Sequence, residues 1–161
     1  MTAKKVAIAS VTQGYELKRA IHQHLEEQGH TVLDLGCHDS KTFVGYPSVG
    51  EAVAHALRTG DAHLGVVCCN YGTNGCAGVA KFQGVSAISC ESVKTAEAAR
   101  KASGANVLCM GASVVSAELA NEIVDVFIDA EFLDLEGVPE KVRDFRRRAR
   151  DQLVGLGVAP R

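Results

Sequence analysis

Residues 64–76 of the chain read LGVVCCNYGTNGC, an unbroken apolar run that ends in a polar loop containing two glycines. A continuous apolar run, in place of an alternating one, is typical of a strand buried on both faces of a parallel sheet. The adjacent Cys68 and Cys69 would then point to opposite faces of that sheet. The pattern therefore predicts a central parallel strand with a glycine-bearing loop at its carboxyl end.

Apolar runs and helical patterns alternate on both sides of this strand. Strands are predicted at residues 5–9, 31–35, 64–69, 85–90 and 106–110. Helices are predicted at residues 17–28, 48–59, 77–82, 92–103, 116–132 and 140–153. This alternation predicts an α/β fold, a five-stranded parallel sheet doubly wound into a three-layer αβα sandwich of Rossmann-like type. We expect one domain over residues 1–161, with residues 154–161 as a frayed tail.

The composition is that of a globular protein, with 47% hydrophobic residues, 22% charged residues and a formal net charge of −2. That balance predicts no nucleic-acid partner, and no stretch has the composition of a membrane-spanning helix. The first residues do not resemble a secretion signal, so we expect a cytoplasmic protein whose six cysteines are reduced. Because no CxxC pair occurs, a structural zinc site is not expected.

Ligands of open parallel sheets bind beyond the carboxyl ends of the strands, where the strand order reverses. This rule directs attention to the loops after the predicted strands, above all to Cys69 and residues 70–76. A thiol there would lie beside loop amides that precede a helix, where negative charge is stabilised. The alternative is that Cys69 is a small hydrophobic core residue, which is the commonest role of a free cysteine.

Several segments match one enzyme family in order and in spacing. They are residues 65–69, AKFQGV at 80–85, LDLG at 33–36, YP at 46–47 and NVLCMG at 106–111. Together they resemble the ribose-5-phosphate isomerase B and galactose-6-phosphate isomerase family over about residues 4–145. The resemblance implies an aldose–ketose isomerase that acts on a small sugar or sugar phosphate without a metal or organic cofactor. It also implies a homodimer, with a tetramer as the alternative.

By this resemblance Cys69 is the base that moves a proton between C1 and C2 of an open-chain sugar through a cis-enediol(ate). Thr12 lies in the first loop, where the family carries an Asp-His pair, and is a second catalytic candidate. His38, which follows the second strand, is the best histidine candidate for an acid or base. The residues predicted to contact substrate are Ser10, Tyr46, Asn70, Tyr71, Gly72, Thr73, Asn74, Gly75, Asn106 and Lys141.

The chain departs from the family at positions that handle ring opening and phosphate. The histidine that commonly assists ring opening is replaced at Ala102, and the arginine after the fifth strand is replaced by Ser113. Lys141, Arg143 and Arg146 could supply cations instead, although the same residues also fit a solvated helix face. These losses keep open an alternative function, that of a non-catalytic subunit or small-ligand-binding protein on the same fold.

Overall fold

The core of the molecule is a sheet of five parallel strands. A computed structural model describes residues 3–160, and its strands are β1 (Lys5–Ser10), β2 (Thr31–Gly36), β3 (Leu64–Cys69), β4 (Ala87–Ser89) and β5 (Val107–Gly111). Their order across the sheet is β2-β1-β3-β5-β4, and every neighbouring pair is parallel. The predicted fold class is confirmed.

Six helices of the described chain accompany the sheet: α1 (Tyr15–Glu27), α2 (Tyr46–Thr59), α3 (Thr73–Val79), α4 (Val93–Ser103), α5 (Ala117–Asp129) and α6 (Glu140–Gly155). Apolar residues of α1, α4 and α5 pack on one face of the sheet, and those of α2 and α3 pack on the other. β3 divides its side chains between the two faces, since Cys68 packs in the first cluster and Cys69 in the second. The adjacent cysteines therefore point in opposite directions, as predicted.

The helix after β3 begins earlier than its sequence pattern indicates. α3 starts at Thr73, whereas the sequence predicted a start near residue 77. Gly72 precedes it with a φ of 81°, a left-handed conformation that lets the chain turn directly from the loop into the helix. Residues 73–75 are consequently the first helical turn and not part of the loop.

Two other elements differ from their predicted bounds. α2 begins at Tyr46 because Pro47 fits the first turn of a helix, where its missing N–H breaks no helical hydrogen bond. β4 has only three residues. Before it, the N–H of Ser86 donates to the side-chain oxygen of Asn106 at 2.8 Å and so does not extend the ladder.

The carboxyl-terminal tail is tied to the turn that follows α3. The N–H of Gln83 donates to the carbonyl of Val158 at 3.0 Å, and the N–H of Val158 donates to the carbonyl of Lys81 at 2.7 Å. The N–H of Gly84 donates to the carbonyl of Val154 at 2.7 Å. This pairing differs from the predicted fraying, because the turn presents backbone groups that need partners and the tail supplies them.

The strand order reverses between β1 and β3. β2 lies on one side of β1 and β3 on the other, while α1 and α3 leave these strands toward opposite faces, so a crevice opens between the two connections. The loop after β1 packs closely against the end of β3 at the base of this crevice. The N–H of Val11 donates to the carbonyl of Cys68 at 3.2 Å. A methyl group at Gly14 would lie 2.3 Å from the same oxygen, so this contact requires glycine.

Candidate active site

A cavity of about 260 Å³ lies where the strand order reverses, at the carboxyl ends of β1 and β3. Its lining residues are Val11, Gln13, Phe43, Val44, Gly45, Tyr46, Cys69, Asn70, Tyr71, Thr73 and Asn74. None of these described residues is a Lys, Arg, His, Asp or Glu. The cavity can therefore hydrogen-bond the hydroxyl and carbonyl groups of a small polar molecule, but it offers no cationic side chain.

The thiol of Cys69 is fixed in orientation at the end of β3. Cys69 is 3% exposed, and the N–H of Gly72 donates to its Sγ at 3.1 Å. Gly75 packs against the same side chain, since a methyl group there would lie 3.4 Å from Sγ. The loop and the first turn of α3 therefore hold the sulfur in one place beside the cavity.

The loop after β3 is pressed against the end of β5. A methyl group at Gly111 would lie 2.5 Å from the backbone carbon of Tyr71, and one at Gly72 would lie 2.7 Å from the Oγ of Ser89. Both contacts leave no space for a side chain. Cavity-lining residues of this loop are thus placed by β4 and β5 as well as by β3.

Ser113 occupies the position where the family resemblance implies an arginine, and it forms hydrogen bonds to Asn70. Its Oγ donates to the side-chain oxygen of Asn70 at 2.5 Å, and its N–H donates to the Asn70 carbonyl at 2.9 Å. The N–H of Ala112 donates to the carbonyl of Cys69 at 2.8 Å. The turn after β5 therefore orients Asn70 beside the cavity.

Most of the predicted contact residues come together at this cavity. Those that line it with Cys69 are Tyr46, Asn70, Tyr71, Thr73 and Asn74. Gly72 and Gly75 shape the same loop and helix turn. Contact of these residues with a substrate stays a prediction.

Thr12 and Ser10 lie behind the cavity wall. The Oγ1 of Thr12 donates to the carbonyl of Thr42 at 2.9 Å and accepts from the N–H of Val44 at 3.1 Å. Ser10 is fully buried, and its Oγ has no hydrogen-bond partner in the described part of the chain. Thr12 thus holds the segment that contributes Phe43 to the cavity. Its catalytic role and the contact of Ser10 with substrate stay predictions.

His38 was predicted to lie near the crevice, but it is not among the residues that line the cavity. Its role as an acid or base stays a prediction. Its side chain is 64% exposed, and its Nδ1 lies 3.7 Å from an oxygen of Asp34. The preceding Cys37 is fully buried, and its carbonyl accepts from the buried ammonium of Lys18 at 2.6 Å. Because Cys37 is anchored inward, the next side chain in the turn points outward.

Asn106 and Lys141 also lie outside the cavity of their own chain. Asn106 precedes β5 at the amino edge of the sheet, where its side-chain amide donates to the carbonyl of Gly84 at 2.6 Å. The cavity is at the opposite, carboxyl edge. Lys141 is exposed on α6. Neither residue lines the cavity of its own chain, and contact of either one with a substrate stays a prediction.

Arg143 is held within its own chain, because three of its five N–H donors bond backbone carbonyls. Its guanidinium donates to the carbonyls of Leu133, Leu135 and Val138, at 2.5 Å to Leu133 and 3.1 Å to Val138. These bonds hold the loop before α6, in which Leu133 has a φ of 65°. The sequence presents Arg143 as one member of a basic run and contains no sign of this role.

Sequence reasoning pointed to the loops after the first two strands but named none of the residues that form the outer wall of the cavity. Phe43, Val44 and Gly45 line it together with Val11 and Gln13. Phe43 is 81% exposed. An aromatic residue in a loop after a predicted strand was the available signal, since exposed aromatics often mark binding surfaces.

Within residues 3–160 no group of three or more His, Cys, Asp or Glu side chains is arranged to hold a metal ion. No helix in the same range is both long enough and apolar enough to cross a membrane.

The architecture is that of a doubly wound α/β protein with a thiol at its switch point, and a solved structure shares this fold. Ribose-5-phosphate isomerase B from Clostridium thermocellum superposes with a TM-score of 0.82 at 32% sequence identity, covering 92% of this chain and 96% of that one.

Sequence comparison leads to the same group of enzymes. The family model described as Ribose/Galactose Isomerase matches residues 6–144. D-erythrulose-4-phosphate isomerase from Pectobacterium atrosepticum is 34% identical over 127 residues, which cover 79% of this chain and 84% of that protein. Ribose-5-phosphate isomerase B from Escherichia coli is 34% identical over 129 residues, 80% and 86% of the two chains. The chain belongs to the ribose/galactose isomerase family, which confirms the predicted family and enzyme class.

Proposed function

We propose that the chain interconverts an aldose and a ketose of a small sugar phosphate, with Cys69 as the group that moves the proton. The observation that carries the proposal is the position of Cys69, whose thiol lines the cavity at the switch point of the sheet. The relatives named above are isomerases of phosphorylated sugars, which favours a phosphorylated substrate here. We place the enzyme in the cytoplasm, since its six cysteines are free thiols.

The proposed reaction is a proton transfer between neighbouring carbons. Starting from the aldose, the Sγ of Cys69 removes the proton from C2 and returns it to C1, while the hydroxyl proton moves from O2 to O1. The intermediate is a cis-enediol(ate). Asn70 and Thr73 border the cavity with groups that can donate hydrogen bonds to its oxygens.

The cavity favours a substrate that needs no ring opening. None of its described lining residues is a histidine, and Thr12 and Ala102 stand where the family resemblance implies histidines. A four-carbon sugar phosphorylated on O4 cannot close a five-membered ring, because the oxygen that would close it is esterified. We therefore propose a tetrose/tetrulose 4-phosphate pair as the substrate, in keeping with the name of the relative from Pectobacterium atrosepticum.

We further propose that two copies of the chain form a homodimer through α6. This 16-residue helix has no buried residue, and its side chains Phe145 and Leu153 are 63% and 54% exposed. Covering one such side chain contributes roughly 1.5–3 kcal/mol. The cavity of one chain lacks a cation for phosphate, and a second copy could bring Lys141 or Arg148 to it. A tetramer would be a pair of such dimers.

The second candidate function is a binding protein or non-catalytic subunit on the same fold. The absence of a histidine or other charged side chain among the described lining residues is the observation that favours it. It requires ligand binding without exchange of the substrate's carbon-bound proton, which separates it from the isomerase.

A substrate comparison in deuterium oxide tests both candidates. D-erythrulose 4-phosphate, ribose 5-phosphate and galactose 6-phosphate would each be followed by NMR for ketose–aldose conversion and for deuterium entering C1 or C2. We expect conversion with exchange, fastest for the four-carbon substrate. Faster turnover of ribose 5-phosphate would refute the four-carbon assignment. Calorimetric binding of a sugar phosphate without conversion or exchange would refute the isomerase and favour the binding protein.

A further inference from the structure

Lys18 of α1 is the one Lys, Arg, Asp or Glu in the described part of the chain that is buried, with 1% of its surface exposed. A lysine on a helix that packs against a sheet usually extends its ammonium to water. Here α1 buries Lys18 together with Leu17, Ile21 and Leu25, so the charge lies inside the molecule. The proposed proton transfer does not use this residue.

The ammonium of Lys18 has partners on three segments of the chain. It donates to a carboxylate oxygen of Asp34 on β2 and to the carbonyl of Cys37 in the next loop, the latter at 2.6 Å. Its Nζ also lies 5.6 Å from the centre of the Tyr15 ring, a distance at which the ring attracts a cation. Lys18 therefore ties α1 both to the end of β2 and to the loop that follows it.

Hydrogen bonds continue from Cys37 to the outer wall of the cavity. The thiol of Cys37 donates to the carbonyl of Asp39 at 2.6 Å, and the carboxylate of Asp39 accepts from the N–H of Thr42 at 2.6 Å. The Oγ1 of Thr12 then bonds both the Thr42 carbonyl and the N–H of Val44, which belongs to the wall. The buried ammonium is thus connected to the wall by a continuous series of hydrogen bonds.

Stability alone does not explain an ammonium at this place. Apolar side chains of similar volume often stabilise a core as well as a buried ion pair does, because desolvation of the two charges offsets their attraction. An apolar side chain would, however, leave the Cys37 carbonyl without a donor from α1. We propose that Lys18 is a positioning residue, whose hydrogen bond to Cys37 places the outer wall of the cavity against the substrate. This proposal rests on the isomerase function proposed above.

The expected effect is on substrate binding more than on proton transfer. Residues 43–45 form the outer wall, whereas the Sγ of Cys69 is held by the loop after β3. Lys18→Met should therefore raise KM for the sugar phosphate by roughly 10-fold while kcat stays within about threefold of the wild type, as expected when a contact common to substrate and transition state is lost.

Hydrogen–deuterium exchange of the full chain, followed by NMR, measures the loop without reference to the reaction. In Lys18→Met we expect faster exchange of the Thr42 and Val44 amides, whose hydrogen bonds lie between Cys37 and the wall. The amides of Gln83 and Val158, which join the tail to the turn after α3, should exchange as in the wild type.

Two further variants separate positioning from a general loss of stability. Lys18→Met/Asp34→Leu replaces both charges by apolar side chains, so it should recover stability and still show the raised KM and the faster loop exchange. Arg100→Met is the matched control. Arg100 is a half-buried cation that also donates to a backbone carbonyl, that of Ala105 at 2.6 Å, and lies 5.5 Å from the centre of the Phe127 ring. Its loss should lower stability and leave both KM and the loop exchange unchanged.

An unchanged KM in Lys18→Met would overturn the proposal, whether or not the loop amides exchange faster. An equal rise in KM in Arg100→Met would also overturn it, because lost stability alone would then account for the effect. If Lys18→Met does not fold, the double variant decides by the same two measurements. A chain whose loop exchange rises as expected but that converts no sugar phosphate would refute the proposed function and leave the anchoring of the loop by Lys18 intact.

Discussion

The cavity and α6 are built in opposite ways. The described residues that line the cavity carry no charge, and loops of the same chain hold them in place. α6 carries five arginines and exposed apolar side chains, yet none of its residues is buried. Three of those arginines already have partners, since Arg143 binds backbone carbonyls while Arg147 and Arg150 pair with carboxylates.

This difference suggests that the cavity and α6 serve different parts of the proposed reaction. In the proposed function, the cavity holds the sugar's carbon skeleton and moves its proton, but none of its described lining residues is a cation for phosphate. α6 carries cations without an ion-pair partner among the described residues, such as Arg148, and uncovered apolar area. The proposal therefore assigns the proton transfer to one chain and phosphate binding to a second copy, and the predictions below test these two assignments.

The largest effect is expected from removing the thiol of the cavity. Cys69→Ala should lower kcat by roughly 10²–10⁴-fold, the usual contribution of a general base, with little change in KM. Steady-state kinetics with a sugar phosphate would measure it. Because Cys69 is a buried residue of β3 and not part of α6, sedimentation of the variant should match the wild type. A kcat within threefold of the wild type would contradict the role of Cys69 as base.

The second effect should appear at α6 and leave the fold intact. Changing both Phe145 and Leu153 to Ser removes two exposed apolar side chains that we place between copies, at roughly 1.5–3 kcal/mol each. The dimer dissociation constant measured by sedimentation should rise by about 10²-fold or more. Gln152→Ser, an exposed polar position on the same helix, is the matched control and should change nothing. An unchanged dissociation constant in the double variant would place the interface elsewhere.

A smaller effect is expected where the cavity loop meets β5. Gly111→Ala forces a methyl group to within 2.5 Å of the Tyr71 backbone, and overpacking of this kind costs about 1–3 kcal/mol. Urea unfolding should show the loss. Gly155→Ala is the control, because that position has open space and no left-handed φ. Equal stability of the two variants would mean that the loop can move away from β5.

The fold and the position of Cys69 at the end of a buried strand could be predicted from sequence because both depend on local patterns. Continuous apolar runs separated by helical periods specify a parallel sheet, and its strand ends then specify where a ligand binds. The positions that were missed or misplaced depend on contacts between distant segments. Thr12 bonds to residues 42 and 44, and Arg143 bonds to a loop up to ten residues before it. Local periodicity carries no information about such hydrogen bonds.

His38 and Asn106 illustrate the same limit. His38 is adjacent to the right loop, but the inward anchoring of Cys37 turns it outward, and nothing in the local sequence specifies that anchoring. Asn106 is part of a matching motif, yet it lies at the amino edge of the sheet, away from the cavity of its own chain. A motif therefore identified the family without identifying which edge of the sheet each residue serves.

The smallest predicted effect concerns the side chain that replaces an arginine. Ser113→Ala removes the hydrogen bond from the Ser113 Oγ to the side chain of Asn70, while the backbone bond between the same two residues remains. A neutral hydrogen bond contributes about 0.5–1.5 kcal/mol, so kcat/KM should fall by about 2- to 10-fold with little change in the free energy of unfolding.

Ser116→Ala is the control, and it should lower stability without lowering kcat/KM. Ser116 caps α5 by accepting from the N–H of Leu119, so its loss should cost about 1 kcal/mol of stability and leave kcat/KM unchanged. If Ser113→Ala lowered stability and spared kcat/KM, Ser113 would belong to the scaffold and the cavity would recognise its substrate without an oriented Asn70.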